Sequence, residues 1–168
     1  MLSSGVLRSV PYCADRPHGI SISWQRWGGS RALALPEATV PIPAKILLVD
    51  DHAFVRSTLR SLLGQQPHWQ VYEAQDGQAA LECAREIQPD VVVMDIVMPN
   101  MSGIAAVYEL RRIVPRTKVV LISSHYTEEE AAHLARLFGD GNFIEKSQTG
   151  TKLVSTISRI LPLESQAV

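Results

Sequence analysis

The stretch KILLVDDH, residues 45–52, places four apolar residues directly before two adjacent aspartates and a histidine. A continuous aliphatic run without polar alternation is typical of a strand that is buried on both faces of a parallel sheet. The pair Asp50 and Asp51 then has two interpretations, a solvated turn or a cation site. The residues that follow the other apolar runs distinguish between them.

Five strand-like runs occur between residues 44 and 163, and a segment with helical spacing of apolar residues follows each one. The runs are ILLV (46–49), WQVYEA (69–74), VVVM (91–94), VVLI (119–122) and NFIE (142–145). Thr127 and Glu130 have the spacing of a capping box at the start of the fourth helix. Five strand-then-helix repeats predict an α/β fold, a doubly wound parallel sheet with helices on both faces.

The ends of the chain differ from this repeat. Residues 1–43 contain five prolines, at positions 11, 17, 36, 41 and 43, and show neither helical nor strand periodicity. This pattern indicates a disordered extension. Residues 44–163 form the predicted domain, and residues 164–168 form a short tail. No apolar run approaches the roughly 20 residues needed to cross a bilayer. The net charge of −1 does not indicate the basic surface that typically binds nucleic acid. Cys13 and Cys83 match no zinc or redox spacing, which is consistent with a reducing cytoplasm.

Chemistry-bearing residues stand directly after the strands. Asp50 and Asp51 follow the first run, Asp95 the third, Ser123 the fourth and Lys146 the fifth. The carboxyl ends of parallel strands face one crevice, where ligands of such sheets bind. Carboxylates that converge there repel one another unless a proton or a cation relieves them, and Mg²⁺ prefers oxygen ligands of this kind.

This set of residues indicates a phosphate site in which Asp95 is a nucleophile. Lys146 would supply a positive charge, and the hydroxyl of Ser123 a hydrogen bond, to the same anion. Each residue taken alone has an ordinary explanation: a strand-end aspartate is often a helix N-cap, a serine often forms a turn, and a loop lysine is usually solvated. Their joint occurrence at successive strand ends favours the phosphate site.

At these residues the sequence resembles the receiver domain of two-component response regulators, the family of the chemotaxis regulator CheY. The segments ILLVDDH, VVVMDIVMPNMSG, VVLISS and FIEKS stand in the order and spacing of that family, over residues 44–163. The resemblance implies a flavodoxin-like strand order of 2-1-3-4-5. The segment from Val49 to Val71 is most similar to receivers that precede a helix-turn-helix domain, yet only residues 162–168 follow the last helical segment, so no output domain is expected.

The resemblance also implies a role for each site residue. Asp95 would carry the phosphoryl group, and Asp51, Asp95 and the backbone carbonyl of Val97 would bind Mg²⁺, with Asp50 assisting largely through water. Lys146 would contact the phosphoryl group. Ser123 and Phe143 would form the switch pair. His52 and His125 are expected at the rim of the site, outside the central chemistry.

Two further expectations concern the loops. Pro99 and Gly103 are expected to stiffen and turn the loop after Asp95. Val97, two residues beyond Asp95, cannot orient a water, so the aspartyl phosphate is expected to be long-lived unless His125 assists its hydrolysis.

The sequence thus predicts a stand-alone phosphoacceptor that takes its phosphoryl group from a histidine kinase or a phosphotransfer protein and then presents an altered face to a downstream protein. It would catalyse only its own phosphorylation and dephosphorylation. The alternatives are a receiver-fold interaction module that works without phosphorylation and a truncated DNA-binding regulator. Dimerisation through the fourth and fifth helices stays open. A haloacid dehalogenase type of phosphatase is disfavoured, because it needs a second aspartate where Val97 stands.

Overall fold

Strands and helices alternate along the part of the chain that the computed structural model describes, residues 42–138 and 140–161. They are β1 (Ala44–Val49), α1 (Ala53–Leu63), β2 (Trp69–Ala74), α2 (Gly77–Ile87), β3 (Val91–Asp95), α3 (Gly103–Ile113), β4 (Lys118–Ser123), α4 (Glu128–Phe138), β5 (Phe143–Glu145) and α5 (Thr149–Ile160), with a single 3₁₀ turn (Lys146–Gln148) before α5. All five predicted strands and helices are confirmed. None of the described helices has the length and apolar character needed to cross a membrane.

The five strands form one parallel sheet in the order β2-β1-β3-β4-β5, which confirms the predicted topology. In the register of the sheet, Val49 pairs with both Ala74 and Met94. The residues that follow Val49 and Met94, Asp50 and Asp95, therefore leave two neighbouring strands at the same level. β2 lies on one side of β1 and β3 on the other, so the connections that follow β1 and β3 diverge and a crevice opens at this edge.

Two apolar layers cover the two faces of the sheet. On one side α2 and α3 pack on the strands through Ala80, Leu81, Ala84, Ile87, Val107 and Leu110. On the other side α1 and α5 pack through Leu59, Leu63, Leu153 and Ile157. Leu47 and Leu48 of β1 are both fully buried although they point to opposite faces, as the continuous aliphatic run predicted.

Local signals at the helix ends are confirmed as well. The hydroxyl of Thr127 accepts the backbone N–H of Glu130, and the carboxylate of Glu130 accepts the backbone N–H of Thr127 at 2.9 Å, a complete capping box.

The predicted extension lies outside the described residues up to position 41, and the predicted tail, residues 164–168, lies outside them entirely. Both stay predictions.

Candidate functional site

Asp50 and Asp95 are the two buried carboxylates at the carboxyl edge of the sheet, with 0% and 1% of their surfaces exposed. A buried carboxylate needs hydrogen-bond donors or a counter-charge. One oxygen of Asp50 accepts the backbone N–H of His52 at 2.8 Å. One oxygen of Asp95 accepts the backbone N–H of Val97 at 3.3 Å. In each case the other oxygen faces the same cation.

That cation is Lys146, which follows β5. Its Nζ donates a hydrogen bond to Oδ2 of Asp95 at 2.7 Å and lies 2.7 Å from Oδ2 of Asp50. The geometry at Asp50 is that of an ion pair, since this oxygen has no hydrogen-bond donor of good direction. One ammonium group thus serves two buried carboxylates, and the predicted convergence of these three residues is confirmed.

The charges leave Asp95 poorly compensated. Burial raises the pKa of Asp95 above its ordinary value, and the nearby charge of Asp50 adds to this, although the hydrogen bonds from Lys146 and Val97 act in the opposite direction. Burial lowers the pKa of Lys146, but its close contacts with Asp50 and Asp95 and their negative charges outweigh burial, and the net pKa is raised. The lysine is therefore charged at neutral pH, and this single ammonium group faces two buried carboxyl groups.

Asp51 and His52 stand at the rim of the same crevice. The side chain of Asp51 is 23% exposed and that of His52 is 68% exposed. Nδ1 of His52 lies 2.9 Å from Oδ1 of Asp51, within hydrogen-bond distance. Each of Asp50, Asp51, His52 and Asp95 offers one potential ligand atom, and these atoms all lie within 4.8 Å of one another.

These residues fit a divalent cation. Oδ2 of Asp50 is buried and has the ion pair with Lys146 but no hydrogen-bond donor of good direction, so its charge is incompletely compensated. Asp50, Asp51 and Asp95 each bring one carboxylate oxygen within 4.8 Å of the others, and hard oxygen donors of this kind suit Mg²⁺. Asp50, Asp51 and Asp95 are the side chains that would hold it. The backbone carbonyl of Val97 stays a predicted fourth protein ligand.

The loop after Asp95 depends on a close backbone approach. A Cβ atom on Gly103 would lie 1.9 Å from the carbonyl oxygen of Asp95 and 2.9 Å from Cα of Ile96, distances that no side chain tolerates. The absence of a Cβ lets the N–H of Gly103 donate to the carbonyl of Ile96 at 2.9 Å. The expectation that Gly103 turns the loop therefore needs a different reason: in this loop the left-handed residue is Asn100, at φ 66°, and Gly103 provides space.

Ser123 is buried at the end of β4, but its hydroxyl takes part in a local turn. Its Oγ accepts the backbone N–H of His125 at 3.3 Å, which is the ordinary Ser/Thr turn that the sequence left open. Phe143 is half-buried in β5, packs against the α2–α3 layer and pairs in the sheet with Leu121. Beyond Phe143, a cleft runs between α4 and α5, lined by Tyr126, Ala131, Ala135 and Lys152 among others.

Sequence reasoning missed a second set of charges behind the site. Nη1 of Arg56 donates to the backbone carbonyl of Asp50 at 2.7 Å, and its Nε lies 3.3 Å from Glu73. Nε of Arg60 lies 3.0 Å from the other oxygen of Glu73. Arg56 and Arg60 are four residues apart on α1, so they share one helix face, and this spacing is the only signal in the sequence. Arg56, Arg60 and Glu73 form a trio in which Arg56, held by Glu73, fixes the backbone of Asp50.

Comparison with known proteins places this geometry in one family. The family model described as the response regulator receiver domain matches residues 46–158. The response regulator protein VraR of Staphylococcus saprophyticus is 33% identical over 125 residues, which cover 74% of this chain and 59% of VraR. The chemotaxis protein CheY of Thermotoga maritima is 31% identical over 116 residues, which cover 69% of this chain and 96% of CheY. The chain thus spans less than two thirds of the first relative and nearly all of the second.

A solved structure agrees with the sheet order. The crystal structure of the response regulator domain of Thermotoga maritima CheB is similar with a TM-score of 0.62 and 31% identity, over 75% of this chain and 98% of that one.

The close approach at Gly103 predicts a specific loss of stability. Gly103→Ala is expected to lower the free energy of unfolding by about 1–3 kcal/mol or more, because the new methyl group must displace the backbone of Asp95. Urea denaturation measures this change. Gly150→Ala is the matched control: a Cβ there meets nothing within 4 Å, and alanine in helix α5 is expected to stabilise by up to about 1 kcal/mol. Wild-type stability in Gly103→Ala would contradict the structure at this loop.

The raised pKa of Asp95 predicts a pH-dependent gain on removing its charge. In the folded state the carboxyl group holds its proton to a higher pH than in the unfolded chain, whose ordinary pKa is 3.8. Wild-type stability relative to Asp95→Asn therefore falls as pH rises above 3.8 through the folded pKa. In the presence of a chelator, Asp95→Asn is expected to be the more stable protein at neutral pH, and the difference is expected to vanish in acid.

Denaturation series over pH measure the difference. Asp76→Asn is the control, because Asp76 caps α2 through the N–H of Ala79 and asparagine caps equally well. An Asp95→Asn variant that is less stable than wild type at neutral pH would show that the contact with Lys146 outweighs burial.

Proposed function

The chain belongs to the response regulator receiver family of two-component signalling, and from that premise we propose that it accepts a phosphoryl group on Asp95 and thereby changes a protein-binding face. One observation carries the proposal: Asp95 is a buried carboxylate whose cationic partner, Lys146, is shared with a second buried carboxylate. Such an arrangement favours a bound cation, which adds positive charge and can itself bind an oxygen of a phosphate group. For a structural ion pair, one carboxylate would suffice.

The chemistry follows from the groups at the crevice. A carboxylate oxygen of Asp95 attacks the phosphorus of a partner's phosphohistidine; the new P–O bond forms as the P–N bond breaks, and the imidazole that leaves takes up a proton. Lys146, 2.7 Å from Asp95, offsets negative charge on the phosphoryl oxygens. Mg²⁺ held by Asp50, Asp51, Asp95 and the carbonyl of Val97 would supply further charge neutralisation to those oxygens. The trio behind Asp50 keeps the backbone in place.

The switch begins at Ser123. Its hydroxyl now accepts a hydrogen bond from the backbone N–H of His125, and its own proton is free to be donated to a phosphoryl oxygen, a stronger acceptor than a neutral group. Movement of Ser123 toward that oxygen would vacate space behind it. Phe143, half-buried at the neighbouring strand, would then turn inward and change the surface formed by α4, β5 and α5. This is a local electrostatic event that biases a two-state element.

The proposal also names partners. The phosphodonor is a histidine kinase or a phosphotransfer protein, and the output is a downstream protein that recognises the altered face. The protein would catalyse only the phosphorylation and dephosphorylation of its own aspartate, and it would act in the cytoplasm, where the ATP used by such kinases is found. Because the chain spans 59% of VraR, the activity of the whole protein is part of this proposal.

The rival proposal is a receiver-fold interaction module that needs no phosphorylation. It predicts that the site residues are structural relics. The complete set of Asp50, Asp51, Asp95, Ser123 and Lys146 favours phosphorylation, since a relic would be free to lose the costly pair of buried carboxylates.

Labelling distinguishes the two proposals. With a small phosphodonor such as phosphoramidate and Mg²⁺, the wild-type protein is expected to gain the mass of one phosphoryl group, and chelation of the metal is expected to abolish the gain. Asp95→Asn is expected to gain nothing, while the control Asp76→Asn is expected to be labelled like wild type. An unlabelled wild-type protein would favour the rival, and a label that persists in Asp95→Asn would place the acceptor elsewhere.

The residue two positions after Asp95 predicts the lifetime of the label. The side chain of Val97 is apolar and the residue is 44% exposed, so it cannot position a water for attack on the acyl phosphate. Val97→Asn supplies a hydrogen-bonding group at this place and is expected to release phosphate faster than wild type. Val97→Ala is the control for the change in size, and His125→Ala tests the remaining polar candidate. An unchanged or slower rate of phosphate release in Val97→Asn would contradict the prediction.

A further inference from the structure

His52 has no part in the chemistry proposed above, yet its imidazole lies among the acidic residues. Nδ1 is 2.9 Å from Oδ1 of Asp51 and 3.8 Å from Oδ1 of Asp50. One ring nitrogen of His52 belongs to the same group of potential ligand atoms as a carboxylate oxygen of Asp95, all within 4.8 Å of one another. Sequence reasoning placed His52 at the rim, which its 68% side-chain exposure fits, and gave it no role.

The position of His52 on the backbone makes this orientation informative. His52 is the N-cap of α1, where side chains such as serine or aspartate usually accept an N–H of the first helical turn. The side chain of His52 makes no such cap, and its ring instead faces Asp51. Its own backbone N–H donates to Asp50, so the backbone is fixed from the acidic side as well. The residue is therefore held in place toward the metal site and away from the helix.

The distances suit a shared six-coordinate ion. Neighbouring ligand atoms about 2.1 Å from an octahedral ion lie roughly 3.0 Å apart, and opposite ones about 4.2 Å apart. The 2.9 Å between Nδ1 of His52 and Asp51 matches a neighbouring pair of ligands. The 3.8 Å between Nδ1 and Oδ1 of Asp50 does not, which agrees with a role for Asp50 through water. In the absence of an ion, a hydrogen bond between the imidazole and Asp51 explains the same short distance.

We propose that Nδ1 of His52 is an additional ligand of this metal site, which makes it a mixed nitrogen–oxygen site that favours a first-row transition ion over Mg²⁺. The inference rests on the metal site of the proposed function and adds a preference among ions to it. Neutral imidazole is a common ligand for such ions, whereas Mg²⁺ is bound almost entirely by oxygen. The ion bound by a receiver with this ligand set would depend on which divalent ions are available.

The test compares Co²⁺ with Mg²⁺ on the full chain, stripped of metal. Calorimetric titration of each ion gives two dissociation constants, and their ratio is the preference. His52→Asn is the informative variant, because the asparagine amide keeps a donor near the place of Nδ1 for Asp51 but offers no nitrogen ligand. His133→Asn, at an exposed position on α4, is the control for adventitious binding to surface histidines.

The expected result is a fall in the preference for Co²⁺ of at least about tenfold in His52→Asn, with Mg²⁺ affinity retained and with His133→Asn unchanged. Proton NMR gives a second readout: Co²⁺ bound to Nδ1 is expected to produce a strongly shifted Nε2–H signal that is absent from His52→Asn. Equal preferences in wild type and His52→Asn, with Mg²⁺ binding intact, would overturn the role of His52 and leave the proposed function standing. Failure of wild type to bind either ion, or binding that survives both Asp51→Asn and Asp95→Asn, would overturn the metal site itself and the role of His52 with it.

Discussion

One ammonium group between two buried carboxylates is the interaction on which the site depends. Nζ of Lys146 lies 2.7 Å from both Asp50 and Asp95, each of which has essentially no exposed surface. Removing a charge from water costs several kcal/mol, and one lysine cannot fully compensate two acids. The folded protein therefore retains unbalanced negative charge at one place. A divalent cation is the ligand that relieves this charge, and in our proposal the bound cation in turn neutralises the phosphoryl group, which is why we regard this imbalance as the origin of function.

The fold creates that imbalance through sheet order alone. β1 and β3 are neighbours in the sheet although β2 separates them in sequence, so residues 45 positions apart, Asp50 and Asp95, emerge at the same level. β5 lies two strands from β3, and the long side chain of Lys146 spans the remaining distance. The apolar layers on both faces hold this edge in register, because a slip of one residue would turn the aspartates toward the wrong face. Stability is thus concentrated in the layers and chemistry at the edge.

Much of this arrangement could be predicted from the sequence, and the exceptions have physical reasons. Strand-end positions of Asp50, Asp95, Ser123 and Lys146 follow from periodicity, because each terminates an aliphatic run. The close approach at Gly103 could not be predicted, since it depends on the path of the backbone at Asp95 and Ile96, eight and seven residues earlier.

Contacts between elements could not be predicted from the sequence either, because they depend on how the elements pack. Arg56 and Glu73 come from different elements, and only the packing of α1 beside β2 brings them behind Asp50. The turn at Ser123 was one of two interpretations of that residue, and the hydrogen bond from the N–H of His125 confirms the turn. The switch role of Ser123 stays part of our proposal.

In our proposal, filling the site at Asp95 changes the surface formed by α4, β5 and α5. Beryllofluoride, which mimics a bound phosphoryl group, can be added with Mg²⁺ while amide NMR spectra are recorded. We expect shifts at Asp95 and its loop together with shifts at Ser123, Phe143 and the α4–β5–α5 surface. Shifts confined to the loops around Asp95 would contradict the switch, and spectra that do not change at all would contradict the site.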